Sequence, residues 1–228
     1  MPDWFDKQTV GDLLNRAAER FGPREALVYE GQRWSFDQFR EETDRVARAL
    51  IGLGIQPGDK VSIWMPNRAE WLFLFGAVAK IGAILVPINT RFRTGDMEYL
   101  VNHSDSAALI LMDQSGPVNY LDMLREVASE VDTGNPAELR PAAFPALRNV
   151  LLLDDGRLGD ARPGGVVGWD AMLAGAGEVP AAELAQREDG VSPNDTFLLM
   201  YTSGTTGFPK GACLKSRDAG WGVDCEQA

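Results

Sequence analysis

Short apolar runs alternate with amphipathic segments along most of the chain, and this alternation is the strongest constraint on its fold. The apolar runs at residues 60–65, 83–87 and 107–112 predict buried strands, and the spacing of the apolar residues between them predicts helices. A repeated order of strand and helix favours a mostly parallel sheet that is covered by helices and joined by right-handed crossovers. The predicted fold class is therefore α/β.

Two of the predicted helices begin with a capping pattern. Thr9 is followed three residues later by Asp12, and Ser35 by Gln38, which is the spacing of a capping box. The apolar residues after each motif recur at helical spacing. The other predicted elements are a hairpin at 26–30 and 33–35, helices at 70–81, 95–103 and 120–131, and strands at 150–153 and 197–201.

Three stretches lack both periodicities and predict irregular structure. Residues 132–145 are rich in Pro, Ala, Gly and Asn and predict a loop. Residues 156–168 carry many glycines, and 175–195 carry proline and acidic residues, so both are expected on the surface. Asp154 and Asp155 are predicted to be surface charges, because neighbours in sequence usually point apart.

The composition excludes several kinds of partner. A formal net charge of -11 over 228 residues would repel nucleic acid and anionic membranes. The apolar run at 71–79 is too short to span a bilayer, and the first residues resemble no targeting leader, which predicts a cytoplasmic location. Cys213 and Cys225 are too few for a disulfide framework or a four-cysteine zinc site. We therefore expect a small-molecule partner and predict no metal-ligating residues.

The segment that carries chemistry follows the predicted strand at 197–201. It reads Thr202, Ser203, Gly204, Thr205, Thr206, Gly207, Phe208, Pro209, Lys210 and Gly211. Glycines allow the backbone amides to converge on a phosphate, and the Ser and Thr hydroxyls can add donors. Lys210 supplies a mobile cation that can neutralise phosphate charge. These residue types together predict a polyphosphate ligand.

The order of these residues distinguishes between two kinds of phosphate loop. Lys210 lies between Pro209 and Gly211, whereas a Walker A loop needs Gly-Lys followed by Ser or Thr. The string Tyr-Thr-Ser-Gly-Thr-Thr-Gly-Phe-Pro-Lys-Gly instead resembles the signature loop of adenylate-forming enzymes. That superfamily contains acyl-CoA synthetases, luciferases and the adenylation domains of peptide synthetases.

The resemblance extends upstream over nearly the whole chain and downstream as far as Leu214. Residues 64–67 (Trp-Met-Pro-Asn) and 87–91 (Pro-Ile-Asn-Thr-Arg) look most like fatty acyl-CoA synthetases. The resemblance implies an incomplete N-terminal domain of that fold over 1–214. Residues 215–228 are predicted to be an aberrant tail, because Lys-Ser stands there in place of the family's usual Thr-His pair.

The resemblance also implies a reaction. Such enzymes join a carboxylic acid to ATP with the help of Mg²⁺, release pyrophosphate, and let CoA displace AMP from the acyl-adenylate. By this resemblance, the residues that bind the ATP phosphates are Thr202, Ser203, Gly204, Thr205, Thr206, Gly207 and Lys210. No residue is assigned a catalytic role, and the family's later adenine, ribose and catalytic-lysine motifs do not occur in this chain.

These missing motifs lead to two expectations and leave two alternatives open. We expect the chain alone to show no ligase turnover, and we expect its truncated sheet edge to promote self-association or poor solubility. One alternative is a non-catalytic binding or regulatory remnant, which would co-purify with a full-length relative. The other is a degraded gene product without a function of its own.

Four residues that could suggest a ligand site are interpreted as structural. His103, the single histidine, is predicted to be a helix-end residue without a catalytic role. Trp64, Trp71 and Phe73 are predicted to belong to the core, because large aromatic residues at strand and helix positions are usually buried.

Overall fold

The computed structural model describes residues 8–202 and 209–219, which form a seven-stranded sheet covered by helices. The strands are β1 (Glu25–Tyr29), β2 (Gln32–Ser35), β3 (Lys60–Trp64), β4 (Ile84–Pro87), β5 (Ser106–Met112), β6 (Gln114–Ser115), β7 (Val118–Asn119), β8 (Asn149–Leu153), β9 (Val167–Gly168), β10 (Thr196–Thr202) and β11 (Lys210–Lys215). The helices are α1 (Val10–Phe21), α2 (Phe36–Gly52), α3 (Ala69–Lys80), α4 (Thr94–His103), α5 (Tyr120–Val127), α6 (Glu130–Thr133), α7 (Trp169–Gly175), α8 (Ala181–Asp189) and α9 (Ser216–Ala219).

The main sheet has the strand order β11-β10-β4-β3-β5-β8-β9. Its neighbouring strands are parallel except for the antiparallel pair of β10 and β11. β1 with β2 and β6 with β7 form separate antiparallel hairpins. The predicted α/β class with a mostly parallel sheet is therefore confirmed.

The middle of the sheet is the most deeply buried part of the fold. Every residue of β5 is buried, as expected for a strand with helices on both faces. Its one polar side chain, Ser106, has hydroxyl partners at 2.7 Å in Ser62 of β3 and in Ser104. This burial is compatible with stability because each hydroxyl has a hydrogen-bond partner.

Helices α1, α2 and α3 pack together through a close approach at Gly76. A Cβ atom at this position would lie 2.7 Å from both Leu14 Cδ1 and Thr43 Cγ2, so a larger residue would collide with its neighbours. The capping boxes predicted at Thr9 and Ser35 are both present at the starts of α1 and α2. These local signals fix where the two helices begin.

A buried lysine joins four helices. The Lys80 side chain is 1% exposed, and its ammonium pairs with Asp44 of α2 and with Glu188 of α8, the latter at 3.0 Å. It also donates to Asn15 Oδ1 of α1 at 2.6 Å. A buried charge is tolerated when it is paired and hydrogen-bonded, and here it links α3 to three other helices.

Two predictions of secondary structure are wrong, one about a helix and one about an irregular stretch. The single helix predicted at 120–131 is split into α5 and α6, because Ala128 has the non-helical angles φ -141 and ψ 66. This break allows both Ala128 and Val131 to be buried completely. The stretch at 175–195 is largely at the surface, as expected, but it is not irregular, because it contains α8, which packs Leu184 into the core.

The glycine-rich stretch at 156–168 is also not simply surface. Gly165 is buried, and its amide donates to the Val131 carbonyl at 2.8 Å. A Cβ atom on Gly165 would lie 2.8 Å from that same oxygen, so glycine is needed for the two backbones to approach this closely. The glycine content therefore reflects close packing here, and the following residues form β9.

Candidate functional site

The carboxyl ends of β4 and β10 lie side by side at one edge of the sheet. The chain leaves β4 through α4 and crosses to β5 on the far side of β3, whereas it leaves β10 toward β11 at the outer edge. In open parallel sheets, ligands bind outside the carboxyl ends of strands where the connections diverge in this way. Thr202 and Lys210, the two ends of the predicted phosphate segment, lie at this edge.

Two of the predicted phosphate-binding residues face each other across a hairpin. Thr202 is the last residue of β10, Lys210 is the first of β11, and they are partners in the antiparallel register. Both are exposed. The other five predicted residues lie outside the described residues, namely Ser203, Gly204, Thr205, Thr206 and Gly207. The described ends of the predicted segment thus place a threonine and a lysine opposite each other in the antiparallel pair.

Helix α4 contacts β10 and the residue that precedes β11, both next to this pair. His103 Nδ1 lies 2.8 Å from the hydroxyl oxygen of Tyr201, the residue before Thr202. The Tyr99 hydroxyl donates to the carbonyl of Pro209, the residue before Lys210, at 3.3 Å. The Tyr99 and His103 rings stack with centroids 5.1 Å apart, and His103 meets the Tyr201 ring edge-on at 5.7 Å.

The environment of Tyr201 keeps its phenol protonated. Burial, with smaller contributions from the neighbouring Tyr99, Cys213 and Asp105, raises the pKa of Tyr201 to about 12. The phenol is therefore neutral near pH 7 and keeps its proton for the contact with His103. Its ring lies against Gly211, where an added Cβ would be 3.4 Å from the ring carbon that bears the hydroxyl.

The sequence-based interpretation of His103 is correct in part. It is the last residue of α4, as predicted for a helix-end residue. Its contact with Tyr201, 98 residues away in sequence, was missed. The spacing of Tyr99 and His103, four residues apart on a predicted helix, is a signal that could have shown that the two rings share a face.

The other half of the carboxyl edge is occupied by ion pairs. Asp154 follows β8, is 4% exposed and binds the Arg162 guanidinium at 3.0 Å, so its interpretation as a surface charge is wrong. Burial alone would raise the pKa of Asp154, but the hydrogen bonds from Arg162 and from the Gly156 amide outweigh it and lower that pKa. Asp113, which follows β5, pairs in the same way with Arg157.

Asp155 points outward, as predicted, and takes part in another ion pair. Arg68 donates to both oxygens of Asp155 at 2.9 Å and also binds Glu70. Both carboxylates are therefore paired with the guanidinium group of Arg68.

Among residues 8–202 and 209–219, no group of three or more His, Cys, Asp or Glu side chains is arranged to hold a metal ion. Nor does any helix in those ranges have the length and apolar character needed to cross a membrane.

The remaining predicted structural residues behave largely as expected. Trp64 and Phe73 are buried in the main core, and Trp71 is partly buried against it. Cys213 is a free, exposed thiol on β11.

Comparison with known families identifies the scaffold. A family model described as AMP-binding enzyme matches residues 14–225. The chain belongs to the AMP-binding enzyme family. The predicted resemblance to adenylate-forming enzymes is thereby confirmed. The match runs past Leu214 into the predicted tail, and the domain boundary at that residue stays a prediction.

Relatives of this AMP-binding chain carry names of acyl-CoA ligases. YngI of Bacillus subtilis (strain 168), named as an acyl-CoA synthetase, is 36% identical over 208 residues, which are 90% of this chain and 37% of YngI. The mitochondrial medium-chain acyl-CoA ligase ACSF2 of Mus musculus is 34% identical over 90% of this chain and 33% of its own length. The chain thus spans about a third of the length of these relatives.

Solved structures support the fold of the AMP-binding chain. The anthranilate CoA ligase AuaEII, crystallised with anthranoyl-AMP, superposes with a TM-score of 0.73 at 23% identity, covering 96% of this chain and 38% of that one. At this identity the likeness concerns the fold alone. Together, the family model identifies an AMP-binding enzyme scaffold, and the relatives that share it are named as acyl-CoA synthetases or ligases.

Proposed function

We propose that this chain supplies the phosphate-binding part of an ATP-dependent acyl-CoA synthetase. The observation that carries the proposal is the pairing of Thr202 with Lys210 at the carboxyl edge of the parallel sheet, in a chain of this family. The proposed overall reaction converts a carboxylic acid, ATP and CoA into acyl-CoA, AMP and pyrophosphate.

The chemistry explains why a hydroxyl and an ammonium group suit this position. A carboxylate oxygen attacks the α-phosphorus of ATP, and the bond to the leaving pyrophosphate breaks. The thiol of CoA then attacks the acyl carbonyl and displaces AMP. The first step brings two anions together and develops charge on pyrophosphate, so fixed donors and a cation beside the phosphates lower its barrier. We assign these roles to the Thr202 hydroxyl and the Lys210 ammonium.

In the proposed reaction, Mg²⁺ binds together with ATP. Mg²⁺ in nucleotide sites is usually bound through the substrate phosphates and one or two carboxylates, with several waters retained. When bound, it would neutralise charge on the phosphates. We propose no protein ligand for it among the described residues, since their buried carboxylates at this edge are paired with arginines.

The test of the proposal is ATP binding by the 228-residue chain and by a Lys210→Ala variant. Lys210 is exposed, so its removal leaves the fold intact. A charge-assisted hydrogen bond contributes roughly 1.5–3 kcal/mol, so we expect a loss of affinity of about tenfold or more in a calorimetric titration.

Lys215→Ala is the matched control. Lys215 is also an exposed lysine and lies at the opposite end of the same strand. Its replacement removes the same net charge, so it reports any general electrostatic effect. Equal losses in the two variants, or no ATP binding by the unmodified chain, would refute the assignment of Lys210.

Three further properties belong to the same proposal. We propose that residues 1–214 form the family domain and 215–228 a tail, that the protein acts in the cytoplasm, and that chains can associate through β11.

The proposed association depends on the position of β11, which is the last strand of the sheet on its side and presents a free edge in the described part of the chain. Sedimentation measurements over a range of concentrations test the association. A monomer at every concentration would contradict it.

A further inference from the structure

The hairpin formed by β10 and β11, which carries Thr202 and Lys210, is contacted by side chains of helix α4. β10 pairs with β4 at Leu198, toward the start of the strand, whereas its end pairs with β11. β11 is exposed along most of its length. Strand pairing within the sheet therefore anchors the start of β10 better than the end that presents Thr202.

Helix α4 supplies the support that the sheet does not. Tyr99 and His103 are four residues apart, so both lie on one face of α4, and one contacts the residue before β11 while the other contacts β10. His103 holds the Tyr201 hydroxyl, one residue before Thr202. Tyr99 holds the Pro209 carbonyl, one residue before Lys210. One face of α4 thus makes a hydrogen bond to each side of the hairpin, next to the proposed phosphate-binding residues.

The two contacts reinforce each other through ring packing. The Tyr99 and His103 rings are stacked at an interplanar angle of 30°, and the Tyr201 ring packs edge-on to His103 at 80°. The Tyr201 ring also lies against Gly211, its register partner on β11. The two hydrogen bonds are therefore linked by a continuous set of ring contacts.

We propose that Tyr99 and His103 are positioning residues that hold Thr202 and Lys210 in register for nucleotide phosphate. The proposal rests on the proposed function, because it assigns these residues an effect on the same site. Neither side chain is expected to touch the phosphates. Their effect is transmitted through Tyr201 and Pro209, and accurate placement of donors is a large part of what a phosphate site requires.

The experiment measures ATP affinity in variants of the whole 228-residue chain. His103→Ala and Tyr201→Phe each remove one partner of the same hydrogen bond, and we expect each to weaken binding roughly fivefold. The double variant should be no weaker than either single variant, because both changes break one interaction. His103→Asn keeps a polar atom at the position of Nδ1 and should restore affinity to within about twofold of the unmodified chain.

Asn102→Ala is the matched control, since Asn102 is an exposed neighbour on the same helix. It should leave the affinity unchanged. If Lys210→Ala weakens binding while His103→Ala behaves like Asn102→Ala, the positioning role is wrong and the proposed function stands. Additive losses in the double variant, or no rescue by asparagine, would also overturn the positioning role.

A second measurement keeps the inference testable if Lys210→Ala has no effect and the proposed function fails. Hydrogen exchange of peptides that contain the ends of β10 and β11 reports the order of the hairpin without ligand. We expect faster exchange in His103→Ala and in Tyr99→Phe, and protection restored in His103→Asn. Unchanged exchange in all three variants would show that α4 does not hold the hairpin, whatever the ligand.

Discussion

The centre of the sheet and its β10–β11 edge have opposite kinds of sequence and burial. β5 is buried at all seven positions and lies between two parallel neighbours. β11 is exposed at five of its six positions and has one strand neighbour. After Ser106, β5 is a continuous apolar run, whereas β11 carries two lysines, a glycine and a cysteine.

This difference indicates that the centre of the sheet mainly stabilises the fold, whereas the edge is available for binding. Burial of apolar side chains in the centre supplies most of the favourable free energy, and it leaves those residues no access to a ligand. The edge contributes less burial and presents its polar groups to solvent, which is where binding residues are generally found. Substitutions in the two regions should therefore have clearly different consequences.

The largest effect is expected from truncating the buried centre. Leu111 of β5 has no exposed surface, so Leu111→Ala should lower the free energy of unfolding by about 3 kcal/mol. Met200 of β10 is 39% exposed, and Met200→Ala should lower it by less than about 1 kcal/mol. Urea unfolding of both variants measures the contrast. Similar losses would mean that the edge is as much a part of the core as the centre.

The next largest effect is expected at the lysine that joins four helices. Lys80→Met leaves Asp44 and Glu188 without their cation, and we expect a loss of about 2 kcal/mol, below the range for fully buried pairs because both carboxylates remain partly exposed. Arg45→Met removes a surface pair with Glu42 at 3.8 Å and should change stability by less than about 0.5 kcal/mol. Equal unfolding midpoints for the two variants would rule out a structural role for Lys80.

A smaller effect distinguishes a packed glycine from an open one. Gly76→Ala adds a methyl group 2.7 Å from two side-chain atoms and should lower stability by roughly 1 kcal/mol. Gly95→Ala in α4 meets nothing within 4 Å and should be neutral or stabilising by up to about 1 kcal/mol. Thermal melts of the two variants should therefore shift in opposite directions or by clearly different amounts. A stabilised Gly76→Ala variant would contradict the packing of α1, α2 and α3.

The smallest effect at neutral pH concerns the edge, at Tyr201. Its folded pKa of about 12 exceeds the ordinary value of about 10, so the unfolded chain loses this proton first. The resulting stability is fully present below pH 10 and is lost as the pH rises through about 12. Ultraviolet titration of tyrosine ionisation should show a component near pH 12 that disappears in Tyr201→Phe. Its appearance near pH 10 would mean that Tyr201 is solvated.

The sequence was sufficient to predict those parts of the fold that depend on local patterns. The strands β5 and β8 are apolar after their first residue, β3 is mostly apolar, and the caps at Thr9 and Ser35 use neighbouring residues. Both signals are contained within a few residues, so they can be recognised without the tertiary structure.

The features that were missed depend on contacts between distant segments. The burial of Asp154 is made possible by Arg162, and the glycine at 165 is required by the backbone of Val131. In the candidate site, the motif predicted Thr202 and Lys210, but the support from His103 comes from a helix 98 residues earlier in the chain. Such pairings have no periodic signature, so composition alone suggested loops and isolated surface charges.

The most direct test of the central claim is an ATP titration of the isotopically labelled 228-residue chain, followed by NMR. The proposed function predicts that amide resonances of Thr202, Lys210 and Gly211 shift with ATP, while those of β5 and β8 do not. It also predicts that Lys210→Ala reduces these shifts at the same ATP concentration. Shifts confined to other parts of the chain, or none at Thr202 and Lys210, would contradict the assignment of this hairpin as the phosphate site.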